Sequence, residues 1–203
     1  MSLYPLTYVG LLQQTLLFLG RNFPLLFVLC LFAAIGRSLQ LGAAGEMNTG
    51  INFLLEIVIQ VSRVIVFLMA LGEGKITKGL HRVKKLFSLT RYQYELKAIK
   101  HAIVENFREN KLSILTNFIG FISIALLLNY AIEAIAYNTG LLPVLKQNGI
   151  IAEKPSEWTL LLFFKNLSVI PFTIIFETIF FLWLTGKLTE RPQSSSFLKS
   201  SNQ

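Results

Sequence analysis

The sequence predicts an all-α, polytopic integral membrane protein with four transmembrane helices, an N-terminal interfacial helix and a cytoplasmic amphipathic helical hairpin. Two observations lead to this fold class. First, 53% of the 203 residues are hydrophobic and only 15% are charged, which is too apolar for a soluble domain. Second, ten of the nineteen Lys and Arg residues lie within residues 73–111, between two pairs of long apolar runs. Because basic residues collect on the cytoplasmic side of a membrane, this middle segment is predicted to face the cytoplasm.

Residues 1–22 are predicted to form an amphipathic helix that lies in the membrane interface. Apolar residues recur there at near-helical spacing, but Thr7, Gln13 and Gln14 interrupt them. A secretory signal carries positive charge before its apolar core, whereas the first basic residue here is Arg21. The small residues at 42–45 leave open the alternative of a signal peptide that is cleaved there.

Residues 23–72 are predicted to contain transmembrane helices 1 and 2, and residues 112–186 to contain helices 3 and 4. A helix needs about 20 apolar residues to cross a ~30 Å hydrocarbon core. Apolar runs of about that length lie near residues 23–41, 51–71, 112–137 and 160–186. Residues 138–159 carry Gly and Pro turn signals and are predicted to form the external loop between helices 3 and 4.

The basic segment 73–111 is predicted to form two amphipathic helices, because apolar residues recur at helical spacing on both sides of residues 88–91. The first apolar stripe is Ile76, Leu80, Val83 and Phe87, and the second runs from Tyr92 to Phe107. We expect the basic residues to contact anionic lipid headgroups of the bilayer; the alternative is a docking surface for a cytoplasmic protein. No nucleic-acid partner is expected, since membrane topology accounts for the charge. The residues predicted for headgroup or partner contact are Lys75, Lys78, Arg82, Lys84, Lys85 and Arg91.

The remaining charges predict the topology. The loop at 42–50 carries only Glu46, and the loop at 138–159 balances two Lys with two Glu. Further basic residues follow the last apolar run, in a Ser-rich tail at 187–203 that is predicted to be flexible and cytoplasmic. Both termini are therefore predicted to be cytoplasmic, and the inner membrane of a bacterium is the expected location.

Polar residues inside the four apolar runs are the candidate functional residues, because a charge at bilayer depth is costly unless it is paired or wetted. In the second run, Asn52, Glu56, Gln60 and Arg63 recur along one helix face. In the fourth run, Asn166, Ile170, Thr173 and Glu177 have the same kind of spacing, and Pro171 is expected to bend the helix beside them. The six residues proposed as an intramembrane polar cluster are Arg37, Glu56, Gln60, Arg63, Glu133 and Glu177.

Depth within the apolar runs predicts which of these charges meet. Arg63 and Glu177 share a level and are predicted to form an ion pair, with the two polar stripes facing each other. Arg37, Glu56 and Glu133 share a level nearer the outer surface and are predicted to form a second cluster. Gln40, Asn129 and Tyr130 are expected to support that outer cluster, and Lys165 to extend toward the interface.

The residue inventory excludes several functions. The chain has no Asp, so an aspartyl-phosphate or a paired-aspartate metal site cannot form. The single Cys30 excludes an intrachain disulfide, and His81 and His101 lie in the basic segment, where they are unsuited to intramembrane haem or metal ligation. Neither a cofactor nor a metal is therefore expected, and no catalytic arrangement is recognised.

The function expected from the sequence is a non-catalytic integral membrane subunit or scaffold of a larger membrane protein assembly. Under this interpretation the intramembrane charges hold helices together, within the chain or against other subunits. The alternative is a small channel or transporter that works as a homo-oligomer, with a polar path for an ion, a proton or a lipid headgroup between helices 2 and 4. A third interpretation is enzymatic: Glu133 or Glu56 would act as the acid or base, and Arg37 beside it would bind a lipid phosphate with two hydrogen bonds, but no nucleophile accompanies them.

Overall fold

The chain folds as an all-α protein in a computed structural model that describes residues 9–86 and 92–188. The prediction of four transmembrane helices is confirmed: within the described residues, four helices are long and apolar enough to cross a membrane, the last of them in two parts, α8 and α9. The protein is thus an integral membrane protein by the length and composition of these helices. The helices are α1 (Gly10–Arg21), α2 (Phe23–Gln40), α3 (Thr49–Leu71), α4 (Ile76–Leu86), α5 (Tyr92–Glu109), α6 (Lys111–Asn138), α7 (Leu141–Gln147), α8 (Glu157–Leu167) and α9 (Val169–Leu184).

Helix α1 occupies most of the segment predicted as an interfacial helix, and residues 1–8 lie outside the described residues. It packs against α9 and α6, and Leu11 and Thr15 are fully buried there. The first amides of a helix lack partners within the helix. Here the Asn117 side chain of α6 accepts hydrogen bonds from the Leu11 and Leu12 amides, at 3.0 and 3.2 Å. This docking was not predicted, because a lone Asn inside an apolar run gives no sign of its partner.

Helices α2 and α3 form a closely packed pair, and α2 also packs against α8. A Cβ atom on Gly36 of α2 would lie 3.0 Å from the Ile59 side chain of α3, so the small residue permits the close approach. The start of α3 is capped by Asn48, whose side chain accepts from the Ile51 amide at 2.8 Å. This packing fixes which faces of α2 and α3 meet.

The fourth membrane-spanning helix is interrupted at Ser168, where φ is −128° and ψ is −68°. Pro171 follows three residues later, and its missing N–H leaves the Leu167 carbonyl without its usual partner. In the first turn of α9 this proline costs little, since amides at that position have no intrahelical acceptor. The bend predicted beside Pro171 is therefore an interruption that separates α8 from α9.

Two hydrophobic clusters form the interior of the part of the chain that the structure describes. The larger one joins α1, α2, α3, α6 and α9, and the Phe121 and Phe176 rings stack in it at a centroid distance of 4.3 Å. The smaller one joins the far end of α6 to α7 and α8, around Ile132 and Leu160. Near the smaller cluster, the loops at 41–48 and 148–156 are tied together because the Ala152 amide donates to the Ala43 carbonyl at 2.8 Å.

Helix α4 folds back across the last turn of α3. The connection contains Glu73 at φ 54° and Gly74 at φ 99°, left-handed conformations that glycine tolerates best. A Cβ atom on Gly79 would lie 2.1 Å from the Leu68 carbonyl oxygen, so α4 meets α3 in direct backbone contact. The two helices predicted within the basic segment are confirmed as α4 and α5, but Leu80 of the first apolar stripe is 52% exposed. Phe87 lies outside the described residues.

Candidate functional site: intramembrane polar contacts

A polar network joins α2 to α3 around Glu56. Arg37 lies 3.2 Å from one Glu56 carboxylate oxygen and donates to the Gln40 side chain at 2.8 Å. Gln40 in turn donates to that same Glu56 oxygen at 3.2 Å and to the Asn52 carbonyl at 2.9 Å. Gln60 donates to the other Glu56 oxygen at 2.7 Å. The predicted contact of Arg37 with Glu56, supported by Gln40, is confirmed, and both carboxylate oxygens have partners.

Glu133 does not join this network. It is exposed on α6 and forms no ion pair with any residue in the described ranges. Asn129 donates within its own helix, to the Ala125 carbonyl at 2.8 Å, and Tyr130 is 74% exposed. The prediction that these residues join the outer cluster was wrong, because depth fixes the level of a residue but not the direction it faces. Ile132, one position before Glu133, is the residue that faces the bundle.

The predicted ion pair between Arg63 and Glu177 is also wrong. Arg63 donates instead to the Asn166 side chain of α8 at 2.9 Å, and Asn166 is only 2% exposed. Glu177 is exposed on α9 and has no ion-pair partner among residues 9–86 and 92–188. The prediction assumed one continuous helix from Asn166 to Glu177, and the interruption at Ser168 breaks that stripe.

The Arg63 guanidinium also borders a small cavity in the bundle. Its Nε atom is buried without a hydrogen-bond acceptor in the described part of the chain. The cavity has a volume of about 10 Å³ and is lined by Arg63, Ser62 and Asn166 together with apolar residues. That volume is about what one water molecule requires, and the three polar side chains are suitable partners for it.

The carboxylates of Glu177 and Glu133 are exposed on membrane-spanning helices, on the sides that face away from the bundle. Glu177 lies seven residues before the end of α9, roughly 10 Å along the helix axis. Its neighbour on the next turn, Phe181, is 41% exposed, so the surface around the carboxylate is apolar. These two side chains differ from Glu56, whose charge is matched inside the chain.

A second polar arrangement holds the ends of α3 and α9 next to α4. Arg82 donates to the Leu71 carbonyl, to the Glu73 carboxylate at 2.6 Å and to the Lys187 carbonyl at 3.0 Å. Asn106 of α5 is 1% exposed and donates to the Leu184 carbonyl at 3.1 Å. Cations and amide donors are favoured at helix C-termini, where the last carbonyls lack partners.

Two residues of the predicted headgroup set have partners within the protein. Arg82 has a side chain only 17% exposed and is bonded within the protein, and Lys78 lies 3.2 Å from Glu73. Lys75, Lys84 and Lys85 are exposed, and Arg91 lies outside the described residues. The bonds of Arg82 and Asn106 to helix ends were not predicted from the sequence. The sequence does carry one signal of the tight turn between α3 and α4, since Gly72 and Gly74 flank Glu73.

Across residues 9–86 and 92–188, no group of three His, Cys, Asp or Glu side chains is placed to hold a metal ion. No protein-family model, curated protein or solved structure matches the chain. The function must therefore be inferred from the geometry described above.

Proposed function

We propose that this protein is a non-catalytic integral membrane subunit or scaffold of a larger membrane protein assembly. The observation that carries the proposal is Glu177, an exposed carboxylate inside a membrane-spanning helix with no ion-pair partner in the described residues. A charge at the centre of a membrane-spanning helix costs about 2.5 to 3.5 kcal/mol on insertion scales, and Glu177, roughly 10 Å from the end of α9, is expected to bear part of that cost. A basic or hydrogen-bonding side chain from another subunit would remove that cost.

The contrast between carboxylates with and without partners in the described residues supports this proposal, since the Glu56 side chain is itself 39% exposed. The Glu56 carboxylate, between α2 and α3, has Arg37, Gln40 and Gln60 as partners. Glu133 and Glu177, on the outer surface, have none of this support in the described chain. A monomer surrounded by lipid would gain nothing from two such carboxylates, whereas an assembly could use them to select and orient partners.

The packing of α6 adds a second argument. Only 6% of the apolar window of α6 is buried, against 28 to 44% of the other three membrane-spanning helices. Most of α6 is therefore available to lipid or to another protein, and this same helix carries Glu133. A partner that packs on α6 would cover an apolar face and pair a carboxylate at once.

We also propose that both termini and the basic segment face the cytoplasm, and that the membrane is the inner membrane of a bacterium. The ten Lys and Arg residues at 73–111 support this orientation. Reporter fusions after residue 90 and after residue 148 test it. Cytoplasmic activity of the first and external activity of the second are expected, and the reverse pattern would contradict the orientation.

The subunit proposal is tested by gentle extraction from the native membrane and native mass spectrometry. Wild-type protein is expected to carry other subunits in fixed stoichiometry. Glu177→Gln and Glu133→Gln are expected to release them, whereas the control Glu153→Gln, which changes an exposed carboxylate outside the spans, is expected to retain them. A wild-type protein that runs alone or only as a homo-oligomer would reject the proposal.

The second candidate function is a small oligomeric channel or transporter with a polar path between the second and fourth membrane-spanning helices. Interrupted transmembrane helices beside polar residues are typical of transporter binding sites. Here the interruption at Ser168 lies two residues after Asn166, the partner of Arg63. Ion or proton flux into proteoliposomes tests this candidate, and flux that Arg63→Gln abolishes but Lys154→Gln preserves would favour it.

A further inference from the structure

The position of α4 is set by the last turn of α3. Leu68, whose carbonyl would touch a Cβ at Gly79, lies three residues before the end of α3 at Leu71. At 1.5 Å per residue, α4 crosses α3 roughly 4 to 5 Å inside the end of the membrane-spanning helix. Taking the end of the apolar helix α3 as the edge of the hydrocarbon core, this is the level at which lipid headgroups meet the acyl chains.

Helix α4 is also fixed in rotation. Gly79 lies against the α3 backbone, and Arg82, three residues later, bonds to the Leu71 carbonyl, the Lys187 carbonyl and Glu73. Residues three and four apart share a helix face, so Gly79, Arg82 and Val83 define the side that faces the bundle. The opposite side of α4 therefore faces away from the bundle.

That opposite side is basic with one large apolar residue. Leu80 is 52% exposed, and His81, Lys84 and Lys85 are exposed beside it. We call Leu80, His81, Lys84 and Lys85 the outer face of α4. An apolar side chain next to lysines is the composition of helices that lie in a lipid interface, where the apolar group enters the acyl boundary and the lysines meet anionic headgroups.

We propose that the outer face of α4 binds anionic phospholipid headgroups of the leaflet on the α4 side of the membrane. The level of the helix favours lipid over a soluble partner, because the face lies at headgroup depth. Charge complementarity favours anionic over neutral lipid. The outer face leaves out Arg82, because that residue belongs to the side of α4 that faces the bundle. It stands independently of the subunit proposal.

The test is a native mass spectrometry titration of the full-length protein in neutral detergent with phosphatidylglycerol or phosphatidylcholine. Wild-type protein is expected to prefer phosphatidylglycerol. Lys84→Gln with Lys85→Gln is expected to weaken that binding about 30-fold, the loss expected for two surface lysines. The matched control is Lys97→Gln with Lys100→Gln, which removes two exposed lysines from α5 and is expected to change binding by about twofold or less.

Three results would overturn the proposal. Equal loss in the α4 and α5 variants would show that only total charge matters. Equal competition by water-soluble glycerophosphoglycerol would identify a soluble phosphate ligand. If the wild-type protein shows no preference for phosphatidylglycerol over phosphatidylcholine, the outer face of α4 is better explained as a binding surface for an acidic protein. Leu80→Ser is a second variant that separates lost lipid binding from lost folding. It keeps every charge and is expected to weaken lipid binding without changing the thermal unfolding temperature.

Discussion

Replacing Asn117 with Ala is expected to release α1 from the bundle. Asn117 is fully buried, and its side chain accepts from the amides of Leu11 and Leu12, the former also fully buried. Each buried amide left without an acceptor costs about 1 to 3 kcal/mol, although side-chain hydrogen bonds measured in membranes average about 0.6 kcal/mol. The fully buried Leu11 amide, the partly buried Leu12 amide and a small cavity together give an expected loss of about 2 kcal/mol in the free energy of unfolding.

The assay is unfolding in mixed micelles of a neutral detergent and sodium dodecyl sulfate, combined with hydrogen exchange of the peptide that contains Leu11 and Leu12. The control is Asn129→Ala on the same helix, because within the described residues Asn129 donates to the Ala125 carbonyl of its own helix and to no other helix. We expect about 0.5 kcal/mol or less for this control. If both substitutions cost the same, or if exchange at Leu11 and Leu12 is unchanged in Asn117→Ala, the account of how α1 is held is wrong.

Three further predictions concern contacts elsewhere in the chain. Arg63→Glu is expected to lower the folded yield in gel filtration, and adding Glu177→Arg is expected not to restore it, because the two side chains do not meet. A yield restored in the double variant would support the ion pair. Gly79→Ala is expected to lower the free energy of unfolding by about 2 kcal/mol or more in thermal unfolding, since its Cβ would lie 2.1 Å from the Leu68 carbonyl oxygen. Gly20→Ala, where a Cβ would meet no atom within 4 Å, is the control and is expected to leave the free energy of unfolding unchanged or to raise it. Lys154 donates a hydrogen bond to Glu46 and lowers the pKa of that carboxyl. The contact is therefore expected at pH values above the usual Glu pKa and is expected to be lost as the pH falls through the lowered pKa. Nuclear magnetic resonance titration should find the usual Glu46 pKa in Lys154→Gln, and a pKa equal to that of the wild-type protein would contradict the contact.

The membrane-spanning helices could be predicted because length and hydropathy are properties of the sequence alone. The contact of Arg37 with Glu56 could also be predicted, since adjacent helices joined by a short loop bring residues of equal depth close together. Glu133 shows the limit of that reasoning: its level was available from counting, but its direction depends on which face of α6 packs against the bundle. Ile132 and Ala136 decide that face through contacts with α7 and α8.

Arg63 and Glu177 show a second limit. A polar stripe extrapolates along a helix only while the helix is continuous, and Ser168 ends α8 between Asn166 and Glu177. Pro171 indicated a disturbance, but its exact place depends on which carbonyl loses its partner and how the next turn is packed. The tertiary capping by Asn117 and Asn106 was invisible for a related reason: both residues are ordinary polar positions until the fold brings an unpaired helix end to them.

The two ends of α9 are held in different ways. Arg82 and Asn106 bond to carbonyls at and just after the C-terminal end of α9, while its N-terminal end is separated from α8 at Ser168. Between its ends, α9 is held by packing, because Ile175 and Phe176 are fully buried in the larger hydrophobic cluster. Glu177 directly follows Phe176, so this packing, and not an ion pair within the described residues, fixes where the carboxylate lies on the exposed surface of α9. Under the proposed function, a partner would therefore meet Glu177 in a fixed position.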